Sequence, residues 1–148
     1  MEKACIELKV PSDVYYLESV RAFIGKLSET LRFTKKRIAD IQLALDEICS
    51  NAVYHGSKCV SCGIQLQISV DTRSLEIVVS DKGGVNTRDW LSPEKLAEIQ
   101  AKRSPTGESG HGLYLIDCLA DVHKFKPNMV GGTDVTAIFY RDIQPENS

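Results

Sequence analysis

No run of apolar residues in this chain approaches the ~20 needed to span a bilayer. The opening MEKACIELKV also lacks the apolar core of a secretory signal. No membrane association is expected, and the cytoplasm is the expected location. Charge of one sign is scarce too: 18 Lys and Arg against 20 Asp and Glu leave a net −2, so no nucleic-acid footprint is expected. Zinc-site spacing is missing. Cys59 and Cys62 form a CxxC, but no second CxxC and no His pair at zinc spacing accompanies it. No GxGxxG follows the first strand, which speaks against a dinucleotide-binding doubly wound sheet. No internal repeat or linker divides the chain.

The five cysteines are odd in number and come without a signal segment, so they are expected as free thiols. The CxxC reads first as structural or incidental. A redox or metal reading predicts a titratable disulfide or bound zinc.

With 148 residues, 43% hydrophobic and 26% charged, the chain suits one domain with a sizeable core. Residues 1–141 are expected to form that domain, and residues 142–148 a flexible tail. Residues 4–10 (ACIELKV) alternate apolar and polar, the pattern of a half-buried strand. Pro11 ends it, and Ser12 or Asp13 can cap a helix in which Val14, Leu17, Val20, Ile24, Leu27 and Leu31 recur at helical spacing. Thr34 is the expected N-cap of a second helix running to about Gly56. Its first residues, Lys35, Lys36 and Arg37, oppose the helix dipole; they are expected as a solvated face, with partner docking as the alternative. Residues 63–71 and 75–81 read as a hairpin turning at 71–74. A short helix is expected to start at Ser92-Pro93 and run to about Ala101, and residues 103–110 are expected to be mobile. Residues 113–120 (LYLIDCLA) read as a buried helix, 122–125 as the start of a strand, 128–132 as a turn and 133–140 as a strand. The sum is an α/β two-layer sandwich: a mixed, mostly antiparallel sheet with helices covering one face.

The second helix carries the chemistry. In IQLALDEICSNAVYHG, Ile38, Ile41, Leu45, Ile48 and Ala52 form an apolar stripe. Glu47 and Asn51 stand four residues apart on its flank, about one turn from each other. Such a pair is either solvated or turned into a cleft. Two later segments favour the cleft. Asp81 ends a strand and is followed by Lys82-Gly83-Gly84; a carboxylate there can accept from an exocyclic amine while glycine lets a flat ring come close. Gly107-Glu108-Ser109-Gly110-His111-Gly112 then runs straight into a helix, where backbone N–H groups and the dipole favour phosphate. Gly132-Thr133, opening the last strand, can add a hydroxyl to the same anion.

This order of motifs — Glu47-x-x-x-Asn51, Asp81-x-Gly83, Gly110-x-Gly112, Gly132-Thr133 — resembles the GHKL ATPase superfamily, with its Bergerat fold. Within it the chain is similar to the anti-sigma-factor serine/threonine kinases of the RsbW/SpoIIAB type. ALDEICSNAVYHG and ESGHGLYLI are the nearest matches, and the likeness runs from Ile6 to Tyr140. It implies an ATP site in which Glu47 is the general base and Asn51 holds Mg²⁺. Asp81 would read the adenine amino group with Gly83 beside the base. Gly110, His111, Gly112 and Leu113 would meet the phosphates, residues 88–109 would form a lid, and Thr133 would sit at the adenine or phosphate wall. It further implies a protein-serine kinase acting on an anti-sigma-factor antagonist (a STAS-domain protein), sequestration of a sigma factor, and a homodimer. The alternative is a module that binds ATP and partners without transferring phosphate. In the usual adenine box, Asp-x-Gly-x-Gly, the second glycine falls where this chain has Val85, unless Gly84 takes its place. His111 reads as a bystander contributing backbone, and His55 as packed at the end of the second helix. No phosphoacceptor-histidine helix precedes the domain in this sequence, which speaks against a sensor histidine kinase.

Overall fold

Period-two alternation builds the sheet. In the computed structural model, which describes residues 3–56, 59–83 and 116–142, β2 (Ile64–Val70) buries Ile64, Leu66, Ile68 and Val70. Strand β3 (Ser74–Asp81) buries Leu75, Ile77, Val79 and Asp81. Every second side chain points the same way, so these residues share one face. The two strands pair in register, Leu66 opposite Val79 and Ile68 opposite Ile77. Their turn is an Asx turn: Asp71 Oδ1 accepts from the N–H groups of Arg73 (2.7 Å) and Ser74 (2.8 Å). Those bonds hold the Asp71 carboxyl below its usual range.

Strand β1 (Ala4–Val10) pairs with β2, and β4 (Val122–Pro127) with β5 (Thr133–Tyr140). β5 lies between β3 and β4, giving the order β1-β2-β3-β5-β4 with every pairing antiparallel. Two-stranded neighbours in sequence are neighbours in space, except where residues 82–121 intervene before β4.

Helix α1 (Leu17–Thr30) and helix α2 (Lys35–Asn51) supply the second layer. Asp13 caps the start by accepting from Tyr15 N–H at 2.9 Å, but the first turn, Val14–Tyr16, is 3-10. At three residues per turn instead of 3.6, Val14 rotates off the apolar stripe expected for it and is exposed, while Leu17, Val20 and Ile24 are buried. α1 ends in a Schellman motif: Phe33 N–H donates to the Ser28 carbonyl and Arg32 N–H to that of Glu29. Arg32 therefore sits at φ +66°, the left-handed position that suits glycine. Arg32→Gly is expected to raise stability by about 0.5–1 kcal/mol, read as a higher urea midpoint at unchanged m.

Thr34 caps α2 as expected, accepting from Arg37 N–H at 3.1 Å. Ile41, Ala44, Leu45, Ile48 and Cys49 form its buried face. Lys35 and Lys36 are exposed, but Arg37 corrects the expectation of a solvated trio. Its guanidinium donates to the Leu119 carbonyl (2.6 Å) and the Asp121 carboxylate (2.7 Å) and lies over the Phe139 ring. Asp121 in turn accepts from Tyr140 N–H at 2.7 Å. A half-buried, charge-assisted bond outweighs the poor position of a cation at a helix start, and it ties α2 to the end of the sheet.

α2 becomes a π-helical turn, Ala52–Gly56, where a continuous helix was expected. Residues 116–119 are helical, with Ile116 fully buried. One core runs between the layers, from Ile24, Ile41, Leu45 and Ile48 to Leu66, Ile68, Ile77 and Phe139. The expected helix at 93–101, the stretch 103–110 and residues 143–148 lie outside the described residues.

Candidate functional site

The site is built around Asp81, the last residue of β3 and the register partner of Ile64. Alternation puts it on the core face, and it is only 6% exposed. A buried carboxylate has to be hydrogen-bonded. Asp81 Oδ1 accepts from the N–H groups of Gly83 (2.8 Å) and Thr133 (3.2 Å). Oδ2 has no hydrogen-bond partner among the described residues. Burial pushes the carboxyl above its ordinary 3.8, the two N–H bonds pull it back, and the Asp134 charge adds to the rise.

Three glycines crowd this carboxylate. A side chain on Gly56 would run into the Asp81 carboxylate itself, and one on Gly132 into its backbone carbonyl and Oδ1. Gly83, at φ +73°, faces the Gly131 carbonyl. The close backbone approach at Gly83 is thus made, in part, by the β4–β5 turn of the protein itself. Asn128 holds that turn in place. Its amide donates to the Asp81 carbonyl (2.8 Å) and the Asp134 carboxylate (3.1 Å), and its Oδ1 accepts from Gly132 N–H (2.9 Å) and Val130 N–H (3.2 Å). The result is that Thr133 N–H is delivered to Asp81. Gly56→Ala overpacks this cluster and is expected to cost about 1–3 kcal/mol, seen as a lower denaturation midpoint.

Glu47 and Asn51 lie one turn apart near the end of α2 and are half-buried, on the flank of Ala44, Ile48 and Ala52. No hydrogen bond or ion pair among the described residues engages either side chain. The π turn that follows Asn51 carries the chain to Gly56, against Asp81. A half-buried carboxamide, unengaged among the described residues, suits a magnesium ion whose other ligands are phosphates and water. A buried carboxylate with one open oxygen suits an amino group.

A cavity of about 860 Å³ opens beside Asp81, walled by Lys9, Tyr16, Cys59, Cys62, Gln65 and Asn128 among others. Glu47 and Asn51 are not among its described walls, so it flanks the carboxylate on the side of residues 59–65. The structure therefore brings Asp81, Gly83 and Thr133 together, with α2 reaching them through Gly56. Gly110, His111, Gly112 and Leu113 lie outside the described residues, as do Gly84 and Val85. His55 is exposed, contrary to the packing expected of it. Gly56 and Asn128 were not singled out from the sequence. Asn128 opens the turn N-M-V-G-G, a signal for a turn, but nothing local shows that its amide reaches Asp81.

Residues 10–139 match the model of the histidine kinase-like ATPase domain. Among known proteins, the serine-protein kinase RsbW of Bacillus velezensis is 30% identical over 128 residues, covering 83% of this chain and 78% of the relative. RsbW of Bacillus subtilis is 31% identical over 121 residues, covering 78% and 74%. A solved structure of the RsbU and RsbW domains of a Mycobacterium tuberculosis protein superposes with a TM-score of 0.65 at 20% identity. It covers 92% of this chain and 31% of that one, a likeness of fold. Fold and family match together define an ATPase domain of the histidine kinase-like class. The chain belongs to that family, in the branch of the RsbW serine-protein kinases.

Proposed function

We propose that the chain is an ATP-dependent protein-serine kinase and anti-sigma factor. It would phosphorylate a serine on a STAS-type anti-sigma-factor antagonist and sequester a sigma factor, as a homodimer in the cytoplasm. The observation that carries the ATP site is the Asp81 carboxylate: buried, fixed through Oδ1 by two N–H groups, and with Oδ2 unengaged among the described residues, as an exocyclic amine requires. The names of the RsbW relatives support the serine-kinase reading.

The residues divide the work as phosphoryl transfer requires, which is positioning and charge neutralisation more than covalent chemistry. Asp81 accepts from the adenine amino group, with Gly83 and Thr133 fixing the carboxylate. Gly110, His111, Gly112 and Leu113 would offer backbone N–H groups to the phosphates, as the glycine motif implies. Asn51 would hold Mg²⁺ through its side-chain oxygen, and the ion would supply charge neutralisation at the phosphates. Glu47, one turn earlier, takes the proton from the attacking serine hydroxyl. A module that only holds nucleotide has no use for that base. Among the described residues no helix is long and apolar enough to cross a membrane.

The test is incubation of the purified protein with γ-labelled ATP, Mg²⁺ and a STAS-domain antagonist. Label on an antagonist serine is expected. Tight ATP binding with no label would leave the protein a nucleotide-gated binding module.

A further inference from the structure

The CxxC has no part in the nucleotide chemistry. Cys59 and Cys62 bracket a single 3-10 turn, Val60–Cys62, closed by Cys62 N–H donating to the Cys59 carbonyl at 3.0 Å. Cys59 caps that turn in an extended conformation, and its thiol hydrogen-bonds with that of Cys62, so the two sulfurs are neighbours. Both are partly exposed and both line the cavity beside Asp81. Cys49 differs on each count: it is buried in the core, and burial pushes its thiol up to about 12.

The pair is chemically unequal. The Cys62 thiol and the Ser61 hydroxyl, the latter 3.0 Å from Cys59 Sγ, both stabilise a thiolate at Cys59. They lower its pKa to about 7, and the same bond between the thiols raises that of Cys62. Cys59 is therefore the more readily ionised, more nucleophilic thiol of the pair, and Cys62 the one that holds its proton more tightly.

The turn also leads directly into the strand that pairs with Asp81. Gly56, three residues before Cys59, abuts the carboxylate, and Ile64, two residues after Cys62, is its register partner. The Val60 carbonyl accepts from Ser12 N–H and Gly63 N–H, which pins the turn against Ser12.

We propose that Cys59 and Cys62 form a peroxide-reactive dithiol, with Cys59 attacking and Cys62 resolving, and that closing the disulfide weakens nucleotide binding at Asp81. The second half rests on the ATP-site reading above. In the first step the Cys59 thiolate attacks hydrogen peroxide; an S–O bond forms, the O–O bond breaks, and hydroxide leaves. Cysteine sulfur gives up two electrons and the peroxide takes them. In the second step the Cys62 sulfur attacks the sulfenic sulfur. The S–S bond forms, the S–O bond breaks, and the second hydroxide leaves with the Cys62 proton as water. The net change is two thiols and one peroxide to one disulfide and two waters. Drawing the sulfurs to a bond of ~2.05 Å reshapes the turn that walls the cavity beside Asp81 and runs into its register partner Ile64.

The full chain is treated with hydrogen peroxide and its cysteines are mapped by peptide mass spectrometry. A Cys59–Cys62 disulfide that dithiothreitol reverses is expected. Cys62→Ser should accumulate a Cys59 sulfenic acid trapped by dimedone, and Cys59→Ser should give no adduct at Cys62. Oxidation confined to the exposed Cys5 and Cys118 overturns the dithiol, and dimedone on Cys62 overturns the assignment of roles. For the coupling, ADP affinity of the oxidised protein should fall about fivefold or more, and recover on reduction. Equal affinity in both states overturns the coupling. Reduced protein that binds no ADP overturns the ATP-site reading, and the mapping still decides the dithiol.

Discussion

Glu47→Ala is expected to cut phosphate transfer to the antagonist serine by about 10²–10⁴-fold, the usual contribution of a positioned base. ATP affinity should stay close to that of the unaltered protein, because in the proposed role the carboxylate would meet the attacking hydroxyl and not the nucleotide. The expectation rests on where Glu47 sits. It is half-buried on α2, one turn before Asn51, and no ion pair or hydrogen bond among the described residues occupies it. A side chain already committed to a structural bond would be a poor base, and its removal would unsettle the fold. Asp46, beside it, shows the contrast: it pairs with Arg21 at 3.4 Å across α1 and α2. Single-turnover transfer and an equilibrium ATP titration on the same preparation separate the two effects. Transfer at the normal rate would remove Glu47 from the role of base.

Asp81→Asn is expected to weaken ATP and ADP by about 10–100-fold, the value of a hydrogen bond to a charged group. The substitution is close to isosteric. The amide oxygen can still accept from Gly83 and Thr133 where Oδ1 does now, so the cluster should survive. The amide nitrogen then falls where Oδ2 was and sets a donor against the adenine amino group. Inosine triphosphate lacks that amino group, and the variant should lose most of the preference for ATP over it. Acidity acts on the same atom. Burial holds the Asp81 carboxyl above 3.8, and the amino group favours its charged form. Nucleotide affinity should therefore fall as pH drops through the raised value, and the Asn variant should not follow that curve. ATP affinity in the variant equal to that of the unaltered protein would contradict the adenine assignment.

Much of the fold was legible because its signals are local. The strand at 4–10, the hairpin at 71–74, the cap at Thr34 and the last strand at 133–140 are where alternation and turn chemistry put them. The misses have both local and distant causes. Val14 fits a helical stripe on paper, but a 3-10 first turn rotates it outward. Arg37 looks like one of three solvated cations, yet a carbonyl and a carboxylate more than eighty residues away engage it. His55 was expected to pack and is exposed, because α2 gives way to a π turn after Asn51.

Residue order alone determined a two-layer sandwich with a mostly antiparallel sheet and the run of boxes, since both depend on spacing along the chain; that every described pairing is antiparallel came from the structure. Only the tertiary structure decided how the Asp81 carboxylate is seated: Gly56 pressed against it, Asn128 holding the turn behind it, and Thr133 reaching it through backbone rather than hydroxyl. Periodicity reports which face a residue occupies, whereas the partner waiting on that face is chosen by packing between distant segments.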